Sequence, residues 1–497
     1  MKIPRQKSLL PVVLLVATVL RLWRIPSLTE FLGDQGRAGI VALDAARSGI
    51  IPLSGPTTLT NQHLGPFFYY FATVGFALSD FNPVGPAVMQ AVTGVITVLM
   101  VFLTIKTILN GRIALIVSAL YAVSPQIVTS DRILWEPNLV PIFAFIWLLS
   151  LVRLYRDENV WWWIVTGGSL GILFQLHYFN LLFMVFTGAA FVFKIFQDVK
   201  KRGLFEFPIG IFYSIATFLI VLSPFILFEI SNGWKDIREI IHLLLDHSEK
   251  AGKREILYYG LEYIGRMVGY LIPYGTSLQK GIAFISAAGI IVWIKRTWWG
   301  AFVFLWVLLG GLAMGAFRGV VHDHYIYFLL PSISVLIAII LRYLEHYLPP
   351  LFIWLIVGIV LGFQLLQTNL NMAGHNDIAR TEQLSKKMIE YSRNEKFAFT
   401  LVGSRSFSDL HYRFFLKKVF AKVVPIKSEA YKTLFIVCDS DNCKESFSEQ
   451  KNLIPVLCYD PHCSGDYGSI DLHKWQLVGK YNSPYGAINQ FSRIELR

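Results

Sequence analysis

The chain has 497 residues, of which 54% are hydrophobic and 15% aromatic while only 16% are charged, and its mean hydropathy is +0.52. Such a composition excludes an ordinary soluble protein, and the apolar residues fall in charge-free runs of roughly 16 to 25, the length that crosses a bilayer. Lys plus Arg total 45 against 33 acidic residues, a net charge of +12, which orientation in a membrane accounts for without nucleic acid as a partner.

A basic start precedes the first apolar run, residues 8–20. No small-residue cleavage site follows it, so the run is expected to be retained as a helix with its N-terminus in the cytoplasm. Further runs lie at 84–105, 113–130, 137–152, 160–176, 178–193, 207–228, 281–294, 298–317, 325–341 and 350–370. Together they predict about eleven spans. The connections then expected on the cytoplasmic side carry Lys106 and Arg112, Arg153 and Arg156, Lys194 with residues 200–202, Lys295 and Arg296, and Arg342, in accord with the positive-inside rule.

This layout puts three segments on the outer side: 24–83, 229–280 and everything beyond about residue 371. The first contains a polar stretch at 38–48 whose spacing suits a helix lying on the membrane surface. It ends in a strip, residues 60–70, that passes from Thr, Asn, Gln and His63 to Phe and Tyr. Aromatic residues at that depth form a headgroup belt by default. The second segment carries an amphipathic pattern at 236–247, readable as a lid or as a helix resting on the bilayer.

After residue 371 the composition becomes that of a soluble domain. A charged amphipathic stretch (378–394) and apolar runs (397–402, 433–437) predict a small α/β fold. All four cysteines lie here, as Cys438 and Cys443 and as Cys458 and Cys463. Their spacing approaches that of a zinc site, but in an extracytoplasmic compartment two disulfides are favoured, with the connectivity left open. The predicted architecture is therefore an all-α polytopic membrane domain (1–370) followed by a small C-terminal α/β extracytoplasmic domain (371–497).

Charged groups in a membrane protein are costly unless they reach water or partners, so their clustering points to function. They cluster at the outer face: Glu30, Asp34 and Arg37 in the first outer segment, the turn 130–138 (SDRILWEPN) with Asp131, Arg132 and Glu136, the turn around His177, and the turn 318–325 with Arg318, His322, Asp323, His324 and Tyr325.

The order of these features resembles the GT-C membrane glycosyltransferases, in the branch of protein O-mannosyltransferases and aminoarabinose transferases. The resemblance spans residues 9 to about 345. It rests on Arg21 closing the first helix, Asp34 about a dozen residues on, the His63–Tyr70 strip, the 130–138 turn, Gln175-Leu-His177 and the run from His324 to Pro331. The resemblance implies transfer of a sugar from a polyprenyl-phosphate-linked donor to a protein, lipid or glycan acceptor at the outer face of the cell membrane, with inversion. A phosphate leaving group is already stable as an anion, so a single carboxylate base suffices. Asp34 is the candidate base, and Arg37, Arg132, Arg266 and Arg318 are the candidate cations for the departing phosphate. His63, Asp131, Glu136, His177, His324 and Tyr325 complete the expected substrate-binding set. Two positions depart from the family's pattern: Gln35 stands where many relatives carry a second acid, and His63-Leu-Gly-Pro66 replaces the Lys-Pro-Pro of the aminoarabinose branch.

Plainer readings stand beside these. Asp34 also suits a helix N-terminus, and Arg21 suits an interfacial arginine at a helix end. The histidines suit backbone or headgroup hydrogen bonds better than a metal, since none has the helical spacing of a zinc pair. No cofactor is required, and a divalent metal is left open. The rival function is a polytopic transporter or lipid-linked sugar flippase, which would show paired, interrupted helices and midplane charges. A third reading is a binding subunit without activity.

Overall fold

The computed structural model describes residues 9–494, apart from 59–61, 158, 203–208, 246–252, 274, 318, 369, 371–372, 403, 407, 427, 429–430, 440–452 and 456–468. Arg318, Cys443, Cys458 and Cys463 therefore lie outside the described residues.

The chain enters as α1 (Leu10–Leu22) and turns through α2 (Ile25–Leu28) into α3 (Gly33–Ser48), the polar helix expected at 38–48 but begun earlier, so that Asp34 sits in its first turn. The aromatic strip becomes α4 (Phe67–Leu78), because Pro66 stops the preceding extended segment and leaves a run without helix breakers. Then come α5 (Val84–Ile108), α6 (Gly111–Val123) and α7 (Pro125–Ser130). A 3-10 turn, Glu136–Leu139, leads into α8 (Val140–Leu154), which is followed by α9 (Val160–Leu176), α10 (Leu182–Arg202) and α11 (Ile209–Ser231). Beyond these lie α12 (Lys235–Leu245), α13 (Lys253–Leu271), α14 (Ser277–Lys295), α15 (Trp298–Ala316), α16 (Leu330–Leu344), entered through the 3-10 turn Asp323–Leu329, and α17 (Pro350–Gln367).

Eight helical segments among the described residues are long and apolar enough to cross a membrane. Four shorter apolar helices, Leu10–Leu22, Phe67–Leu78, Gly111–Val123 and Val160–Leu176, accompany them. Three of the four coincide with expected spans, so the eleven runs all become apolar helices. One part of the 229–280 segment departs from its reading as an outer loop with a single helix: besides α12 it forms α13. That helix crosses the first turn of α14, where Gly265 meets Ser277 and Gly281, and the last turn of α15, where Gly260 meets Gly311 and Gly315. Small residues allow the backbones to touch there.

The aromatic residues are not only a lipid-facing coat. Trp147, Phe183 and Trp306, from α8, α10 and α15, are fully buried. Their ring centroids lie 4.9 to 5.3 Å apart, and the Trp147 indole donates to Thr187 Oγ1 at 2.9 Å. Tilted and edge-on rings at that separation attract through their quadrupoles as well as by area.

The C-terminal part is α/β, as expected. It consists of α18 (Asp377–Ser392), β1 (Phe397–Val402), α19 (Leu410–Lys418), β2 (Thr433–Cys438), β3 (Leu453–Pro455), β4 (Ser469–Asp471), β5 (Trp475–Ser483) and β6 (Gly486–Arg493). The main sheet has the order β1-β2-β6-β5, with β1 and β2 parallel and the other pairs antiparallel. Alternation along the strands divides the core. Phe397, Phe399, Leu401, Phe435 and Val437 face Leu384 and Met388 of α18 and Tyr412 and Leu416 of α19. Ala398, Leu434, Ile436 and Phe491 pack on Tyr431 and Ile470. Cys438 is disulfide-bonded.

This domain is seated on α3. Phe414 packs edge-on against Phe31 and tilted against Phe76, at 5.6 and 5.4 Å. The Arg47 guanidinium donates to the carbonyls of Lys417 and Lys418, the open C-terminal end of α19, while Lys417 pairs with Asp44 at 2.7 Å. Gly36 lies against the backbone of Leu410 and His411, where a Cβ would overlap main-chain atoms. Gly36→Val is therefore expected to unseat the domain and to lower stability by about 1–3 kcal/mol, the usual cost of overpacking. Gly188→Ala, at an open position, is the control; melting of the two purified variants in detergent checks the difference.

Candidate active site

α3 begins beneath the C-terminal domain. Its first backbone N–H groups have no helical partners, and two devices satisfy them and fix the helix start: Ser406 Oγ accepts from Gly33 N at 3.1 Å, and Gln35 Oε1 accepts from Leu32 N at 3.0 Å. Gln35 also donates to the Leu134 carbonyl at 3.0 Å, which ties α3 to the segment before Glu136. The residue that departs from the family's pattern thus has a positioning role of its own.

Asp34 stands in this first turn with 27% of its side chain open to solvent. Burial raises its pKa above the ordinary carboxylate value, and the Arg37 guanidinium, one turn on at 3.4 Å, opposes that rise. Arg37 is itself buried and donates to the Tyr69 hydroxyl of α4. Glu136, at the start of the 3-10 turn before α8, lies within electrostatic reach of Asp34, Arg37, Tyr69 and Tyr325. Two carboxyl groups, one guanidinium and the Tyr69 phenol are therefore grouped, partly buried, around the start of α3.

Next to Glu136 lies a cluster of aromatic rings. The Trp135 ring lies 4.2 Å from His324, His324 lies 4.4 Å from Tyr325 and stacks on His322 at 5.4 Å, and His177 lies 4.9 Å from Tyr325. Burial holds the His177 pKa down to about 4, so at neutral pH it is an uncharged hydrogen-bonding ring. Flat, uncharged rings of this kind suit the faces of a sugar better than a phosphate. Among the described residues no three His, Cys, Asp or Glu side chains group as a metal ion would require.

Other predicted residues are engaged differently. Arg21 is fully buried, and its Nε pairs with Asp131 Oδ2 at 2.8 Å while Nη1 donates to the Ala122 carbonyl at 2.9 Å. It is neither snorkelling nor open to a ligand through those groups. Arg132 donates to the Leu20 carbonyl, and its own carbonyl accepts from Thr29 Oγ1 at 2.8 Å. Asp131 and Arg132 thus clamp α1 to the 130–138 turn. His63 is held by Asp236 of α12, which accepts from the His63 backbone N–H and meets Nδ1, both at 3.0 Å. This contact fastens the 24–83 segment to α12. Arg266 pairs with Glu262 at 2.7 Å and with Asp323 at 3.4 Å. Of the three candidate cations among the described residues, Arg37 is the one joined directly to Asp34. Tyr69 is visible in the sequence only as part of an aromatic strip; the signal that marks it is a hydroxyl-bearing ring among phenylalanines on a helix that faces α3. Ser406 gives no signal, because its role depends on a docking that no local pattern encodes.

Residues 63–228 match the family described as dolichyl-phosphate-mannose-protein mannosyltransferase. The fold is similar to that of ArnT from Cupriavidus metallidurans bound to undecaprenyl phosphate, with a TM-score of 0.61 at 12% identity over 97% of each chain. The same protein in the apo state gives 0.58, also at 12% identity and 97% of each chain. An oligosaccharyltransferase of Archaeoglobus fulgidus in complex with Zn and sulfate gives 0.51 at 13% identity, over 86% of this chain and 68% of that one. No curated protein matches the sequence.

Proposed function

From a chain that has the GT-C membrane glycosyltransferase fold, we propose that it moves a sugar from a polyprenyl-phosphate carrier to an acceptor hydroxyl at the outer face of the membrane, with Asp34 as base and inversion at the sugar. The observation that carries this reading is the Asp34, Arg37, Tyr69 and Glu136 group at the start of α3. The acceptor oxygen attacks the anomeric carbon while its proton passes to the Asp34 carboxylate. The bond from that carbon to the phosphate oxygen breaks, and the carrier phosphate leaves with the bonding pair. Arg37 is the cation that steadies the charge as it develops, being buried enough for one fixed charge to matter. Undecaprenyl phosphate in the similar ArnT structure and the match of residues 63–228 to a dolichyl-phosphate-mannose-dependent family both support a lipid-phosphate donor.

The proposal is tested by incubating the purified protein with a panel of polyprenyl-phosphate sugars and cell-envelope acceptors, with release of polyprenyl phosphate followed by mass spectrometry. Release that depends on acceptor names the sugar and supports the reading. Donor binding without release from any member would sink it and favour a flippase.

A further inference from the structure

The end of α16 remote from Tyr325 holds a second feature that the transfer reaction does not use. The last turns of α5, α14 and α16 and the first turn of α15 do not close on one another there; they leave a cavity of about 440 Å³. It is open on one side, where Lys295, Arg342 and His346 are exposed. Ile108, Ile291 and Ile339 form its apolar wall, while Lys295 and Arg342 are at its lining with the rings of Trp299 and Tyr343. The plain explanation of Lys295 and Arg342 is that cations favour helix C-termini. That accounts for the charges but not for the space between them.

The charges there are not balanced. Glu345 is shared by Arg112 at 2.5 Å and Arg342 at 3.1 Å. Lys295 lies over the Tyr343 ring at 5.4 Å with no carboxylate paired to it among the described residues. Two guanidiniums and an ammonium thus face one carboxylate beside an apolar slot. An occupant that completes this set carries a negative head and a hydrocarbon tail. Basic pockets between membrane helices bind anionic headgroups by this combination.

We propose that this cavity is a binding site for an anionic phospholipid of the surrounding bilayer, its phosphate held by Lys295 and Arg342 and an acyl chain lying against the isoleucine wall. The volume falls in the range of pockets that enclose a headgroup-sized ligand. Bound lipid would tie α5, α14, α15 and α16 together at the end opposite Asp34.

The test is native mass spectrometry of the delipidated full-length protein titrated with phosphatidylglycerol, phosphatidylcholine, undecaprenyl phosphate or inorganic phosphate. The expected result is retention of phosphatidylglycerol over phosphatidylcholine, weakened about fivefold in Lys295→Gln, the usual worth of one cation near an anionic headgroup, and restored in Lys295→Arg. Lys295 gives up no ion pair with a described residue, so Lys295→Gln keeps the comparison interpretable if Arg342→Gln does not fold. Equal retention of the two phospholipids, or an unchanged affinity in Lys295→Gln, overturns the proposal. Displacement of phosphatidylglycerol by equimolar undecaprenyl phosphate overturns it by assigning the cavity to the carrier, and equal occupancy by inorganic phosphate overturns it by removing the tail.

Discussion

Asp34→Asn is expected to leave a protein that folds and retains donor but transfers sugar at least about a hundredfold more slowly, the scale on which a removed acid/base group is felt. Asparagine keeps the shape and the place in the first turn of α3, so Ser406 and Gln35 still hold the helix start. The change removes the proton acceptor and leaves Arg37 without its partner at 3.4 Å. The pH profile supplies a second reading of the same group. A base works while ionised, and burial raises the Asp34 pKa above the ordinary value; activity should therefore fall as the medium is acidified, with the midpoint of the acid limb above that of a free aspartate. The limb should vanish from the residual activity of Asp34→Asn. Near-normal turnover in the variant would remove Asp34 from the reaction and move attention to Glu136, the other carboxyl of the group.

Arg21→Met is expected to produce the largest loss of stability, about 3–5 kcal/mol, because it strands the Asp131 carboxylate in a buried site without its cation. The pair is the clasp between α1 and the 130–138 turn: Nε meets Asp131 at 2.8 Å and Nη1 meets the Ala122 carbonyl at 2.9 Å. Methionine fills much of the volume, so what is lost is mainly charge pairing. Adding Asp131→Asn to Arg21→Met should recover part of the loss, since the stranded charge is then gone, and thermal melting of the single and double variants in detergent gives the coupling. Equal melting temperatures for wild type and Arg21→Met would show that the clasp carries no stability.

The membrane architecture is legible because a bilayer imposes a length and a polarity on every segment that crosses it, and each of the eleven apolar runs in the sequence is mainly helical, the run 113–130 as two helices broken at Ser124. The charged turns around Asp34, Glu136, His177 and His324 are legible for the converse reason, that polar groups are costly in such a chain unless they have a task. What those groups do with one another is not. Sequence order offers Arg132, Arg266 and Arg37 on equal terms, and only packing shows that Arg132 donates through Nη2 to the Leu20 carbonyl while Arg266 pairs with Glu262 and Asp323, and Arg37 with Asp34. His63 belongs to a recognisable strip, yet its partner Asp236 is 173 residues away. The helix at Lys253–Leu271 is hard to see in the sequence because its charges and tyrosines hide the small residues, Gly260 and Gly265, by which it crosses its neighbours.

The seating of the C-terminal domain on α3 also bears on the order in which the protein is made. The helix that begins at Gly33 leaves the ribosome early, but the hydroxyl that caps it belongs to Ser406 and the backbone against Gly36 to Leu410 and His411. A nascent chain stopped after α17 would have its whole membrane bundle and the Gln35 contacts, but no acceptor from Ser406 for the Gly33 N–H. The start of α3 is thus completed only once a residue 373 positions further along has been made.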